Sequence, residues 1–288
     1  FVNYNYSPVQ PLAFVPAPGP GDAPPAQNGA TPGDLWVATA TSNAAQRVVL
    51  DAEGGATVGA LVPTGAWPTA LAWWAGGDRL LVAQTARDSL GFLDPASGRL
   101  EDAIWVGNEP AAITLDERDP EHPVAYVVLG GADAVVRVDL TTRELTGTLP
   151  VSREPRAAAF DPASGRLYVA SLVSSNAHPD GPLNKTPLAP EAQHDIAVLD
   201  VDAWTVAGWI HEVGTTLRGL WLDPSDPGRL VVSLSHADNT VLKVDADTRP
   251  HRHGLAVVDV DPASPTAWQV VADVDLDEQP GSAGPAPS

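Results

Sequence analysis

The chain contains no cysteine and no methionine among its 288 residues. Without a thiol, disulfides, thiol nucleophiles, Cys-ligated zinc and covalent haem attachment through C-x-x-C-H are excluded within this chain. The missing initiator methionine implies a processed mature form or a piece of a longer protein, so no signal peptide is read. Basic residues are scarce as well: 16 Lys and Arg face 36 Asp and Glu, a formal net charge of −20. That charge opposes phosphate backbones and anionic lipid, which sets nucleic acid and the membrane surface aside as partners. Lysine is confined to Lys185 and Lys243, a bias that resembles GC-rich coding and says little about function. Long apolar runs are absent too. Hydrophobic residues make up 44% of the chain, but no stretch approaches the roughly 18 to 20 residues of a membrane-spanning helix, so no membrane insertion is expected.

What the chain does have is repetition. The heptapeptide DPASGRL stands at 94–100 and again at 161–167, with variants DPSDPGRL at 223–230 and DPASPTAW at 261–268. A run of small and apolar residues opened by Pro recurs at AWPTALAWW (66–74), EPAAITLD (109–116) and EPRAAAFD (154–161), with a degenerate copy, TLRGLWLD, at 216–223. Each is followed by a second strand-like run (RLLVAQT, VAYVVLG, RLYVASL, RLVVSLS). A third ends in Asp (VVRVDL, IAVLDV, LAVVDV), and a fourth follows, as in TVAGWI from Thr205. Four strands per unit of ~40–45 residues are the pattern of a β-propeller blade. No window carries a helical period, so the expected class is all-β.

An earlier copy reads PLAFVP (11–16), DLWVATA (34–40), QRVVLDA (46–52) and TVGALVP (57–63), interrupted by a Pro/Gly/Ala tract at 16–33 that is expected to loop out. The expected architecture is therefore one propeller domain over 1–276. Its five visible blades lie near 8–66, 67–108, 109–153, 154–216 and 217–276, either alone or as part of a seven-bladed ring, and 277–288 form a tail. DPASGRL reads as a hairpin turn: Asp accepts backbone N–H groups, Pro presets φ, and Gly takes the left-handed position. It lacks the D-x-D-x-D-G density of a calcium loop.

The copies RLYVASL with IAVLDVDAWTVAGWI, and RLVVSLSHADNTVLKVD, resemble the bacterial YVTN-type β-propeller repeat proteins over residues 34–276. The resemblance implies a propeller that is extracytoplasmic, periplasmic or on the cell surface, and it implies activity only weakly.

The connections between second and third strands, and those between blades, fall at the end opposite the DPASGRL turns. Two of them are long, at 174–195 and, unless TVLKVDA (240–246) is itself a regular strand, at 235–254. His178 and His194 flank the first, and His236, His251 and His253 flank the second. Glu109, Glu154, Arg156 and Arg218 in the inter-blade links are expected at the same end, as a face for a ligand or partner. Imidazoles near carboxylates are ligands for copper, zinc or iron, and the spacing H-R-H puts His251 and His253 on one side of an extended segment. Polar loops also collect such residues simply because they are solvated. His122 and His211 are expected to stand apart from any cluster. Trp73, Trp74, Trp105, Trp209 and Trp221 are expected to pack in the core or between blades.

No nucleophile elbow, Walker loop, dinucleotide fingerprint or H-E-x-x-H is present. Three functions stay open. The first is a noncatalytic propeller that binds a partner protein or module through its loop-rich face. The second is a metal- or haem-associated redox propeller, fused to or partnering a module such as a di-haem cytochrome peroxidase. The third is a metal-dependent propeller hydrolase or lactonase.

Overall fold

The computed structural model describes residues 9–17, 33–172, 194–237 and 251–277, residues 237 and 251 by their backbone. These form five four-stranded antiparallel sheets, each with its strands in chain order, the blades of a β-propeller fold. The first blade comprises β1 (Leu12–Pro16), β2 (Gly33–Thr39), β3 (Ala44–Leu50) and β4 (Ala56–Pro63). The second has β5 (Pro68–Trp74), β6 (Arg79–Gln84), β7 (Ser89–Asp94) and β8 (Arg99–Trp105). The third has β9 (Pro110–Asp116), β10 (Val124–Leu129), β11 (Ala134–Asp139) and β12 (Glu144–Pro150). The fourth has β13 (Pro155–Asp161), β14 (Arg166–Ser171), β15 (Ile196–Asp200) and β16 (Thr205–Ile210), and the fifth β17 (Thr216–Asp223), β18 (Asp226–Ala237), β19 (His251–Asp259) and β20 (Val270–Asp275). Helix among the described residues is limited to three single 3-10 turns. The blades divide into two compact units, residues 1–150 with three and 151–288 with two. Residues 18–32 of the Pro/Gly/Ala tract and 278–288 of the expected tail lie outside the described residues.

Burial explains the strand sequences. In the first unit β6 and β10 are buried on both faces, which is why RLLVAQ and VAYVVL read as continuous apolar runs rather than alternating ones. Ala70, Leu81, Phe92, Ile113, Val127 and Val136 interlock the second and third blades. Trp36, Val62, Leu71 and Leu80 do the same for the first and second. The fourth strands are edges with largely exposed side chains. Trp105 on β8 is accordingly 67% exposed, and Trp221 on β17 is 54% exposed. Both depart from the packing expected of them, whereas Trp36 is fully buried.

The repeated heptapeptide forms the same turn in two places, β7 to β8 and β13 to β14. Asp94 accepts the Ala96 N–H at 2.9 Å and the Ser97 hydroxyl at 2.6 Å, and its carbonyl accepts the Gly98 N–H at 2.9 Å. Asp161 repeats the pattern with Ala163, Ser164 and Gly165. Gly98 and Gly165 sit at φ 66° and 65°, a conformation that disfavours a Cβ. Between β19 and β20 the role passes to Asp259, which accepts the Ser264 and Thr266 hydroxyls. These bonds hold its carboxyl down at about 2.

The left-handed residue of the turn between third and fourth strands also reaches back to the preceding blade. Arg143, at φ 59°, lies over the Phe92 ring at 4.5 Å and donates to Asp102 at 2.7 Å. Trp268, at φ 65°, lies on Gly208 of β16 so closely that a Cβ there would collide with its ring. At the chain's described start, the Gln10 carbonyl accepts the Leu71 N–H at 2.9 Å and its side chain accepts the Ile113 N–H at 3.2 Å. The segment entering β1 thereby ties the first strands of the second and third blades.

Candidate functional site at the loop-bearing end of blades four and five

A recurring latch organises the end opposite the DPASGRL turns. In blades one to three the second and third strands are joined by four residues (40–43, 85–88, 130–133), of which the last, Asn43, Asp88 or Asp133, has φ between 51° and 55°. Asn43 Oδ1 accepts the N–H of Trp67 at 2.8 Å, and Asp88 Oδ1 accepts that of Glu109 at 3.0 Å. The link residue's carbonyl then accepts an N–H just beyond the next second strand: Trp67 from Thr85, Glu109 from Gly130, and Glu154 from Leu172, at 2.9 to 3.1 Å. Trp67, Glu109 and Glu154 are themselves left-handed, at φ 55°, 54° and 48°. The backbone positions of Glu109 and Glu154 are thus structural, and their side chains are half-buried.

Blade four keeps the side-chain bond of this latch across its long connection, without the left-handed backbone at the acid. Asp195, fully buried, accepts the Val213 N–H at 2.7 Å through Oδ2, in the place of Asp88. The added length lies wholly between Leu172 and His194, just ahead of the latch. Arg156 stands at the bulge of β13 and is only 3% exposed. Arg218, at the matching bulge of β17, is exposed.

His194 is stacked on Trp209, with ring centroids 4.1 Å apart and planes 14° from parallel. The His211 ring is 6.1 Å from it, tilted by 44°. The pairing explains this meeting: Ile196 opposes Ile210, so the residues before β15 and after β16 come together. Burial, and then the neighbouring His211, lower the His194 pKa, while Asp195 draws it back up. His211 therefore belongs to a cluster, contrary to its expected isolation. Both strands were legible in the sequence, and antiparallel pairing of the third with the fourth would have found the pair.

In blade five, strand pairing runs further than the apolar pattern suggests. Ala237 pairs with His251, His236 with Arg252 and Ser235 with His253, so both ends of the loop expected at 235–254 are strand. Directly opposed residues share a face and successive residues alternate. His236 and Arg252 therefore lie on one face and His253 on the other. On the first face Arg252 bonds Asp273 at 2.8 Å, with His236 Nε2 3.7 Å from the same carboxylate. Burial and the Arg252 charge lower the His236 pKa against the opposing pull of Asp273 and Asp275. On the other face His253 approaches Asp277 at 3.4 Å. His178 and the His251 side chain lie outside the described residues. No group of three or more His, Asp or Glu positioned to hold a metal ion occurs among the described residues. His122 lies exposed in the turn between β9 and β10.

The opposite end carries clefts between neighbouring blades. One, of about 610 Å³, is lined by Asp161, Ser164, Asp226, Arg229, Asp259 and Ser264. Another, of about 660 Å³, is formed by the corresponding turns of blades two and three, with Trp74, Glu117 and Arg143. Their recurrence from blade to blade makes them a product of the fold, and the carboxylates of the first are engaged by their own turns.

No family model and no curated protein matches the chain. Among solved structures it is similar to Kuenenia stuttgartiensis hydrazine synthase, at 19% identity and a TM-score of 0.64, over 79% of this chain and 60% of that one. It is also similar to a putative 6-phosphogluconolactonase from Bacteroides uniformis ATCC 8492, at 14% identity and a TM-score of 0.57, over 87% and 70%. At these identities the likeness shows the β-propeller fold, and the chain spans 60% of the length of the hydrazine synthase chain.

Proposed function

We propose that this chain is a noncatalytic, extracytoplasmic propeller of the YVTN type that binds a partner protein through the loop-bearing ends of blades four and five. One observation carries the reading. The connection between second and third strands is four residues long in blades one to three, and it lengthens in both blades of the second unit while the side-chain bond from Asp195 to the inter-blade link is retained. Added length that leaves the blade intact serves contacts outside the blade. The second reading, a redox or metal-dependent propeller working with a fused or separate module, is favoured by the His194 and His211 pair and by the likeness to hydrazine synthase.

The test is capture of partners from an extract of the source organism with the whole chain as bait. Three baits are compared with wild type: a deletion of 176–193, a His194→Ala/Trp209→Ala/His211→Ala variant, and a Ser97→Lys variant at the opposite end. Loss of one stoichiometric partner from the first two baits and its retention by the third supports the reading. Equal capture by all four removes it.

A further inference from the structure

We infer that His194 and His211 form a two-imidazole site for a borderline transition-metal ion, with Cu2+ or Zn2+ as the fitting class. The pair is built by the strand ladder, since Asp195 N–H bonds the Ile210 carbonyl at 3.2 Å and Ile196 opposes Ile210. The stack of His194 on Trp209 at 4.1 Å fixes the ring that would otherwise rotate freely, and so lowers the ordering cost of ligation. A metal at ~2.0 Å from one nitrogen of each ring spans up to about 6.3 Å between ring centres, so the centroid separation of 6.1 Å is within its reach with the two nitrogens nearly trans across the ion.

Asp195 is fully buried and held by the Val213 N–H, which anchors the backbone on both sides of the pair. Imidazole nitrogens suit copper, zinc and nickel over calcium or magnesium, which take oxygen ligands. Among the described residues the two imidazoles are the protein ligands, and because both rings are partly exposed, water reaches the ion. Such a site is exchangeable, unlike a closed structural one. It differs from the grouping expected of the loop histidines, because His236 and His253 lie on opposite faces of their own sheet.

The test is titration of the purified full chain with Cu2+ at pH 7.5, by calorimetry and by electron paramagnetic resonance. His194→Gln, His211→Gln and the exposed His122→Gln are compared with wild type, and thermal melts show that each variant folds. The expected result is an ion whose spectrum shows nitrogen coupling in wild type and His122→Gln. Affinity falls at least tenfold in His194→Gln and in His211→Gln. Wild-type binding in both of those variants, or no copper bound by the wild-type chain, overturns the inference.

Discussion

Asp88 holds φ at 55° and accepts the Glu109 N–H at 3.0 Å, and Asn43 performs both tasks one blade earlier at φ 52° and 2.8 Å. Asn and Asp are the non-glycine residues that best tolerate the left-handed region, and each has an oxygen to offer. The substitution Asp88→Asn is therefore expected to change stability by less than about 0.5 kcal/mol. Asp88→Ala loses the acceptor and keeps the strained backbone, at a cost of about 2 kcal/mol. Urea denaturation of the two variants checks this, and an alanine variant as stable as the asparagine one would remove the latch from the argument. At this scale the sequence was partly legible. The turn role of Asp94 and Asp161 follows from the letters DPASG, because a β-turn is a local object. The Asp88 latch bonds a residue 21 positions away and looks like any polar loop residue until the blades are aligned. Arg156 likewise reads as an exposed link residue, and only the pairing of β13 shows it buried.

Elements join through the turn between third and fourth strands, and blade five shows the joint most sharply. Trp268 covers Gly208 of β16, the space a side chain at 208 would need. Trp268→Ala empties that contact; because the indole is only partly buried, the expected cost is about 2 kcal/mol, below that of a fully buried aromatic. Gly208→Ala forces Trp268 outward and is expected to cost a similar amount. Together the two changes should cost less than their sum, since the new methyl enters space the indole has left, and a double-mutant cycle read by thermal unfolding measures the difference. Strict additivity would mean that the two residues do not share this contact. The strands themselves were largely legible, since their apolar runs and turns mark where each begins and ends. The extension of β18 and β19 through Ser235–Ala237 and His251–Gly254 was not, because SHA and HRHG are polar and their pairing depends on each other. Trp105 and Trp221 misled for a related reason: an aromatic suits a strand whichever face it lies on, and burial is set by the neighbouring sheet.

For the molecule as a whole, periodicity carried the fold, because a blade buries its faces against other blades and so repeats its pattern. Function is thinly written by comparison, since the same architecture accommodates partners and chemistries that differ only in a few end residues. Net charge belongs to this scale as well. A chain at −20 repels itself, and the repulsion reaches roughly 30 Å at 0.01 M salt but only about 8 Å at 0.15 M. Against it stand partly exposed pairs such as Arg79 with Glu101 and Arg166 with Asp200, each at 2.8 Å. Pairs of that kind contribute about 0 to 1 kcal/mol each, and salt screens them too. With more than twice as many acids as bases, unpaired carboxylates dominate the balance. The melting temperature is therefore expected to rise by several degrees between 0.01 and 0.15 M sodium chloride at pH 7, and the gain should shrink as pH falls toward the isoelectric point near 4.4. Calorimetric scans across both variables measure it. A melting temperature that falls with salt would place the electrostatic balance in the local pairs and not in the net charge.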